Sequence, residues 1–135
     1  MKLKRTQKQI IGALGEEIAS KFLIGKGFKI ITRNYRKKFG EIDVIAKKSG
    51  KVHFVEVKTV SRENLREVRP ETDDVFRPED NMHPWKLKRL SRTIQVYLFE
   101  VGQDQESDWQ FDVVTVFLDE KNKLARVKFL EDIIL

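Results

Sequence analysis

An α/β fold with a mixed central β-sheet flanked by α-helices is predicted by three features of the chain. These are an apolar helical period near the N-terminus, a set of short β-branched runs separated by turn residues, and a second helical stripe followed by a near-continuous apolar strand. Ile10, Ile11, Leu14, Ile18 and Phe22 recur at helical spacing, and Gly25 with Gly27 closes the pattern, predicting a helix over about Thr6 to Ile24 whose apolar face packs on the sheet. At about 100° per residue, Gly12, Gly15 and Ala19 form a small-residue flank where this helix could approach another backbone closely. Glu16 lies at one margin of the apolar face and Glu17 at the other, and helical geometry does not choose between them.

Phe28 to Thr32 reads as a first strand and Asn34 to Phe39 as a basic connection. Two further strands follow around Gly40 to Ala46 and His53 to Lys58, giving an antiparallel run of three. From Ser61 to His83 the chain is polar, with Pro70, Pro78 and little periodicity; a loop of this length is a flap, a substrate-gripping loop or a mobile insertion. Pro84 suits a first helical turn, and Leu87, Leu90, Ile94, Tyr97, Leu98 and Val101 supply an apolar stripe to Gly102. Phe111 to Leu118 is a near-continuous apolar strand expected in the interior of the sheet. A polar turn from Asp119 to Lys123 leads to a last strand over Leu124 to Leu130.

Chemistry enters with Asp43, Glu56 and Lys58. Lys47-Lys48-Ser49-Gly50-Lys51 is a polar link with a Ser-Gly turn signal. If Ser49 and Gly50 form a two-residue hairpin loop, Lys48 pairs with Lys51, and counting back sets Asp43 opposite Glu56. A three-residue or five-residue loop would shift the register and separate them. Side chains alternate along a strand, so Glu56 and Lys58 share a side while Val55 and Val57 point the other way. Facing carboxylates repel unless neutralised, and a divalent cation does this. A hard cation, Mg²⁺ or alternatively Mn²⁺, would take the Asp43 and Glu56 carboxylates and the Val57 carbonyl while keeping waters and a substrate phosphate. Lys58 could position attacking water or stabilise charge developing at phosphorus. The plain alternative is a solvated edge hairpin with a surface Glu56–Lys58 pair; the apolar Phe54 beside the acid argues for burial instead.

The 135 residues fit a single domain spanning 1–135, with 40% hydrophobic content adequate for a core. A net charge of +6 suits a polyanionic partner such as nucleic acid. Lys86, Lys88, Arg89 and Arg92 on the second helix, with Arg33 and Arg36 before the hairpin, are the candidate phosphate contacts; a solvated basic face is the alternative. The chain has no cysteine, which excludes disulfides and thiolate-ligated metal sites. Gly12, Gly15, Glu16 and Glu17 interrupt what could have been a signal-peptide core, and the apolar runs are shorter than the roughly 20 residues of a membrane span, so a cytoplasmic protein without membrane partner is expected.

With these residues laid out, the chain resembles the YraN-like family of small bacterial proteins, assigned to the restriction-endonuclease-like PD-(D/E)XK superfamily and similar to archaeal Holliday-junction resolvases. The likeness covers most of the chain: Gly15-Glu16 with Ala19, Arg33-Asn34, Gly40-Glu41-Ile42-Asp43, Phe54-Val55-Glu56-Val57-Lys58-Thr59, Lys86, and Phe111-Asp112-Val113-Val114. The resemblance implies a restriction-endonuclease-like three-layer fold, Asp43 and Glu56 as metal ligands, Lys58 as the catalytic lysine and Glu16 as an accessory acid. It favours Glu16 over Glu17 because Glu16 directly follows Gly15 and precedes Ala19 by three. Ile42 stands where the superfamily name has proline, at a position that ligates nothing. Val60 replaces the arginine usual after the Lys-Thr pair, and the stretch from Ser61 to His83 departs from the family's glycine-containing connection.

Three functions follow as expectations. The first is a Mg²⁺-dependent endonuclease hydrolysing phosphodiesters in DNA, including branched or recombining DNA. The second is a non-catalytic nucleic-acid-binding or adaptor module of the same fold. The third is an interaction subunit that forms a homodimer through its apolar strands or helix stripe.

Overall fold

The computed structural model describes residues 5–61, 84–102 and 108–135. Helix α1, Gln7–Gly25, starts where Thr6 accepts a hydrogen bond from the Gln9 amide while the Gln9 side chain accepts one from the Thr6 amide. This reciprocal pairing satisfies two of the amides that a helix start leaves without partners. The helix ends at Lys26, and Gly27 turns the chain with φ 94°, a conformation that suits glycine, so that the Phe28 amide donates to the Leu23 carbonyl.

Strands β1 (Lys29–Lys37), β2 (Gly40–Lys48) and β3 (Lys51–Ser61) form the expected antiparallel run. Ser49 and Gly50 both have positive φ, 51° and 79°, as a two-residue hairpin turn matched to strand twist requires. Lys48 accordingly pairs with Lys51, and the register counted from the sequence holds along the ladder. One assignment is corrected: Asn34 to Lys37 belong to β1, leaving only Lys38 and Phe39 as the link. The strand continues through this charged stretch because Tyr35 packs edge-on against Tyr97 and Lys37 pairs with Glu100 at 2.7 Å, tying it to the second helix.

That helix, α2, spans Pro84–Glu100, and β4 (Trp109–Asp119) returns parallel to β3. Strand β5 (Leu124–Leu130) lies antiparallel on β4, so the five strands stand in the order β1-β2-β3-β4-β5 in one mixed sheet. Strands β3 and β4 are apolar on both faces because both are covered. Ala19 and Leu23 of α1 meet Val44, Ala46, Val55, Val114 and Val116 on one side, and Leu90, Ile94 and Leu98 of α2 meet Ile42, Ile45, Phe54, Phe111 and Val113 on the other. The result is the three-layer α/β arrangement expected, with helix, sheet and helix stacked. The polar stretch expected to form a long loop lies, at 62–83, outside the described residues.

Two close approaches fix the helices on the sheet. A Cβ at Gly15 would overlap the Thr59 hydroxyl oxygen, so α1 touches β3 through the small-residue flank. A Cβ at Gly40 would meet the Thr93 hydroxyl at 2.6 Å, and the start of β2 thereby lies against α2.

Candidate active site

The β2–β3 ladder runs from Lys48↔Lys51 to Val44↔Val55 and stops one pair short of Asp43 and Glu56. Beyond that point β3 forms no further ladder pair with β2 among the described residues. Asp43 instead takes a backbone group of β3: its Oδ2 accepts the Val57 amide at 2.8 Å. Because the amide and carbonyl of a strand residue face the same neighbour, the Val57 carbonyl is directed to the same gap.

Asp43 reaches inward because side-chain alternation fails around it. Ile42 and Ile45, three residues apart, both pack under α2, whereas Val44 packs under α1. On β1 the facing Asn34, between the paired Arg33↔Val44 and Tyr35↔Ile42, has a positive φ of 54°. On β3 the alternation is regular. Phe54 packs under α2 and Val55 and Val57 under α1, which sends Glu56 and Lys58 to the α2 side as expected.

Asp43, Glu56, Val57, Lys58 and Thr59 line a hollow of about 510 Å³, completed by Lys8, Gly12 and Glu16 of α1, Glu41 of β2 and Lys86 of α2. The contact of Gly15 with Thr59 holds Glu16 at this hollow. Glu17 is exposed and pairs with Arg33 at 2.9 Å, which first by hydrogen bonding and then by charge holds its carboxyl below the usual range. The structure thus separates the two glutamates that helical geometry left equivalent.

The acids are under electrostatic stress. Asp43 is only 8% exposed; burial, then the Glu56 charge, push its carboxyl up to about 8 against the lowering effect of the Val57 amide, with Glu16 and Glu41 adding to the rise. Burial also raises Glu56, although the Lys86 ammonium 3.4 Å from its Oε1 acts in the opposite direction. Among the described residues no three His, Asp or Glu side chains are arranged to hold an ion by themselves. The Asp43 and Glu56 carboxylates line this hollow together with Val57, whose carbonyl strand geometry directs to the same gap, and such hard oxygens are of the kind Mg²⁺ takes while keeping several waters.

This hollow continues at both ends. Gly12 and Glu16 are shared with a second hollow lined by Arg5, Gln9, Asn34 and Arg36; Glu41, Glu56 and Lys86 are shared with a third lined by Gly40, Trp85, Arg89 and Leu90. Together they make a trough with acids at its middle and cations toward its ends. Of the basic residues singled out in the sequence, Arg36, Lys86 and Arg89 line it. Arg36 also pairs with Glu41 at 3.0 Å, Lys88 is exposed on α2, and Arg92 lies over the Phe39 ring at 5.0 Å.

Sequence reasoning passed over Glu41, Lys8 and Thr59. Glu41 had a signal, since it stands two residues before Asp43 on one strand. It also missed a buried network in which His53 Nδ1 lies 2.7 Å from Asp112 Oδ2, while Asp112 Oδ1 accepts from Gln110 at 2.7 Å and from the Asp132 amide at 2.9 Å. A lone aspartate inside an apolar strand was the clue, because a buried carboxylate requires partners.

A three-layer α/β domain with a carboxylate-centred trough at the end of a strand ladder is the class these features define. The chain belongs to the family described as "Uncharacterised protein family UPF0102", whose model matches residues 15–116. A UPF0102 protein of Campylobacter fetus is 33% identical over 127 residues, covering 94% of this chain and 96% of the relative. A UPF0102 protein of Campylobacter jejuni is 36% identical over 122 residues, 90% of this chain and 91% of the relative, and one of Caldicellulosiruptor bescii is 34% identical over 122 residues, 90% and 94%. No described helix is long and apolar enough to cross a membrane.

Proposed function

We propose that this protein is a metal-dependent nuclease that hydrolyses phosphodiester bonds in DNA, with branched or recombining DNA among its substrates. The observation that carries the proposal is the Asp43–Glu56 pair, with Asp43 buried and pushed up by the Glu56 charge, at the centre of a trough with cationic flanks. A module that only binds nucleic acid gains nothing from such a pair, which repels phosphate; a site that holds a cation requires it. The resemblance to the restriction-endonuclease-like superfamily supports the same roles for Asp43, Glu56, Lys58 and Glu16.

In this mechanism Asp43, Glu56 and the Val57 carbonyl would hold Mg²⁺ or Mn²⁺. When bound, the cation supplies positive charge at the scissile phosphate and acidifies water. Lys58, on the same side of β3 as Glu56, stabilises negative charge developing on the phosphoryl oxygens as water adds to phosphorus and the bond to the leaving oxygen breaks. Glu16 adds a carboxylate from the α1 side of the hollow. Lys86 and Arg89 at one end, and Arg5 and Arg36 at the other, pair with phosphates on either side and fix the strand.

The test is cleavage of linear, flapped, single-stranded and four-way DNA with Mg²⁺, Mn²⁺ or EDTA, with the Asp43→Ala protein alongside. Metal-dependent cutting by the natural protein, lost in the variant, is expected. Equal cutting by the variant overturns the proposal; tight, salt-sensitive binding without cutting transfers the weight to the adaptor function.

A further inference from the structure

We propose that Trp85 and Arg89, at the α2 end of the trough, form a stacking platform for an unpaired nucleobase, so that the strand engaged by this site is single-stranded or locally melted. The proposal rests on the nuclease function above for the path of the strand, and names the structural class of its substrate.

Trp85 is 57% exposed, in the first turn of α2. One turn on, the Arg89 guanidinium carbon lies 5.1 Å from the indole centroid, so the helix spacing makes the two side chains neighbours and the cation orients the ring. Both line the hollow of about 320 Å³ that also holds Glu56 and Lys86. A single exposed aromatic needs no explanation. This one stands at the end of a trough that begins at the acidic centre, beside a lysine and an arginine suited to the phosphates on either side of a base.

Indole and guanidinium planes accept the face of any base, which makes such contacts tolerant of sequence. In a closed duplex both faces of each base are covered by its neighbours. A strand must therefore be unpaired at this point before Trp85 can stack on it, and flaps, junctions and single strands meet that condition where continuous duplex does not.

The experiment compares a fluorescently labelled single strand, the same strand with abasic sugars at its central positions, and a blunt duplex, all read by anisotropy. It uses the Asp43→Asn protein, in which residue 43 carries no charge at any pH, and the same protein with Trp85→Ala or Trp85→Phe added. Stacking of one base predicts binding of the base-bearing strand on the order of tenfold tighter than of the abasic strand or duplex. Trp85→Ala removes that preference without altering the affinity for the abasic strand, and Trp85→Phe restores most of it. Equal affinity for base-bearing and abasic strands, or a preference that survives Trp85→Ala, overturns the platform, as does absence of binding to every probe. Cleavage by the natural protein is scored separately. A Trp85-dependent preference without metal-dependent cutting leaves the platform standing and removes the nuclease, and cutting without the preference does the reverse.

Discussion

Replacing Asp43 by Asn should make the metal-free protein more stable at alkaline pH. The carboxyl goes from an ordinary value of 3.8 to about 8 in the folded protein, so the native state holds this proton more tightly than the unfolded chain does. Below the unfolded value both states are protonated and nothing is lost. As pH rises from about 4 toward 8 the unfolded chain releases its proton first, and stability falls until the folded group also ionises. About four units at roughly 1.4 kcal/mol each set an upper bound near 6 kcal/mol. Sharing of the strain with Glu56 and partial hydration of the hollow reduce this to roughly 3 kcal/mol. Asparagine keeps an oxygen for the Val57 amide, so little is lost in exchange. For 135 residues about 3.5 °C accompanies each kcal/mol, and the variant should melt about 10 °C above the natural protein at pH 8 in EDTA, converging with it near pH 4. Melting followed by circular dichroism across this range is the assay. Excess Mg²⁺ should raise the melting point of the natural protein, by preferential binding to the folded state, and leave the variant unmoved. A variant that melts no higher than the natural protein at pH 8 without metal would refute the account of a buried Asp43 repelled by Glu56.

Glu16→Gln should lower metal-dependent cleavage by at least tenfold while Glu17→Gln leaves it within twofold, a contrast read from cleavage rates at saturating Mg²⁺. Gly15→Ala forces a methyl onto Thr59 and should cost about 1–3 kcal/mol in urea unfolding, part of which Thr59→Ala returns. Asp112→Ala removes the acceptor shared by His53, Gln110 and the Asp132 amide and should destabilise the fold by about 3 kcal/mol, while cleavage per folded molecule at low temperature persists.

Much of the architecture was legible because it follows from local rules. The Ser49-Gly50 turn could be counted as two residues, and the register of β2 on β3 followed from it. Helix α1 declared its face by apolar spacing and its close approach by Gly15. The extension of β1 through Asn34 to Lys37 was hidden because its charged residues resemble a loop, and the contacts that hold it there, Tyr35 on Tyr97 and Lys37 on Glu100, come from helix residues more than sixty positions away. The choice of Glu16 over Glu17 was legible only through resemblance. Its physical reason is tertiary, since Thr59 receives α1 at Gly15 while Arg33 occupies Glu17. The break in alternation around Asp43 lies opposite a positive φ at Asn34, an irregularity that no periodic pattern encodes.

Strict alternation would have placed Asp43 on one face of a continuous sheet, with the neighbouring β3 backbone consumed by ladder hydrogen bonds. Ending the ladder at Val44↔Val55 instead leaves the Val57 amide and carbonyl directed to the gap. The amide fixes the Asp43 side chain, and the carbonyl adds a third oxygen to those of Asp43 and Glu56 without adding a full negative charge. That distinction matters in a buried site, where a third carboxylate in the same place would deepen the repulsion already acting on Asp43. The end of the β2–β3 ladder at Val44↔Val55 is thus what leaves backbone polar groups of β3 beside the Asp43 carboxylate in an otherwise largely apolar part of the sheet.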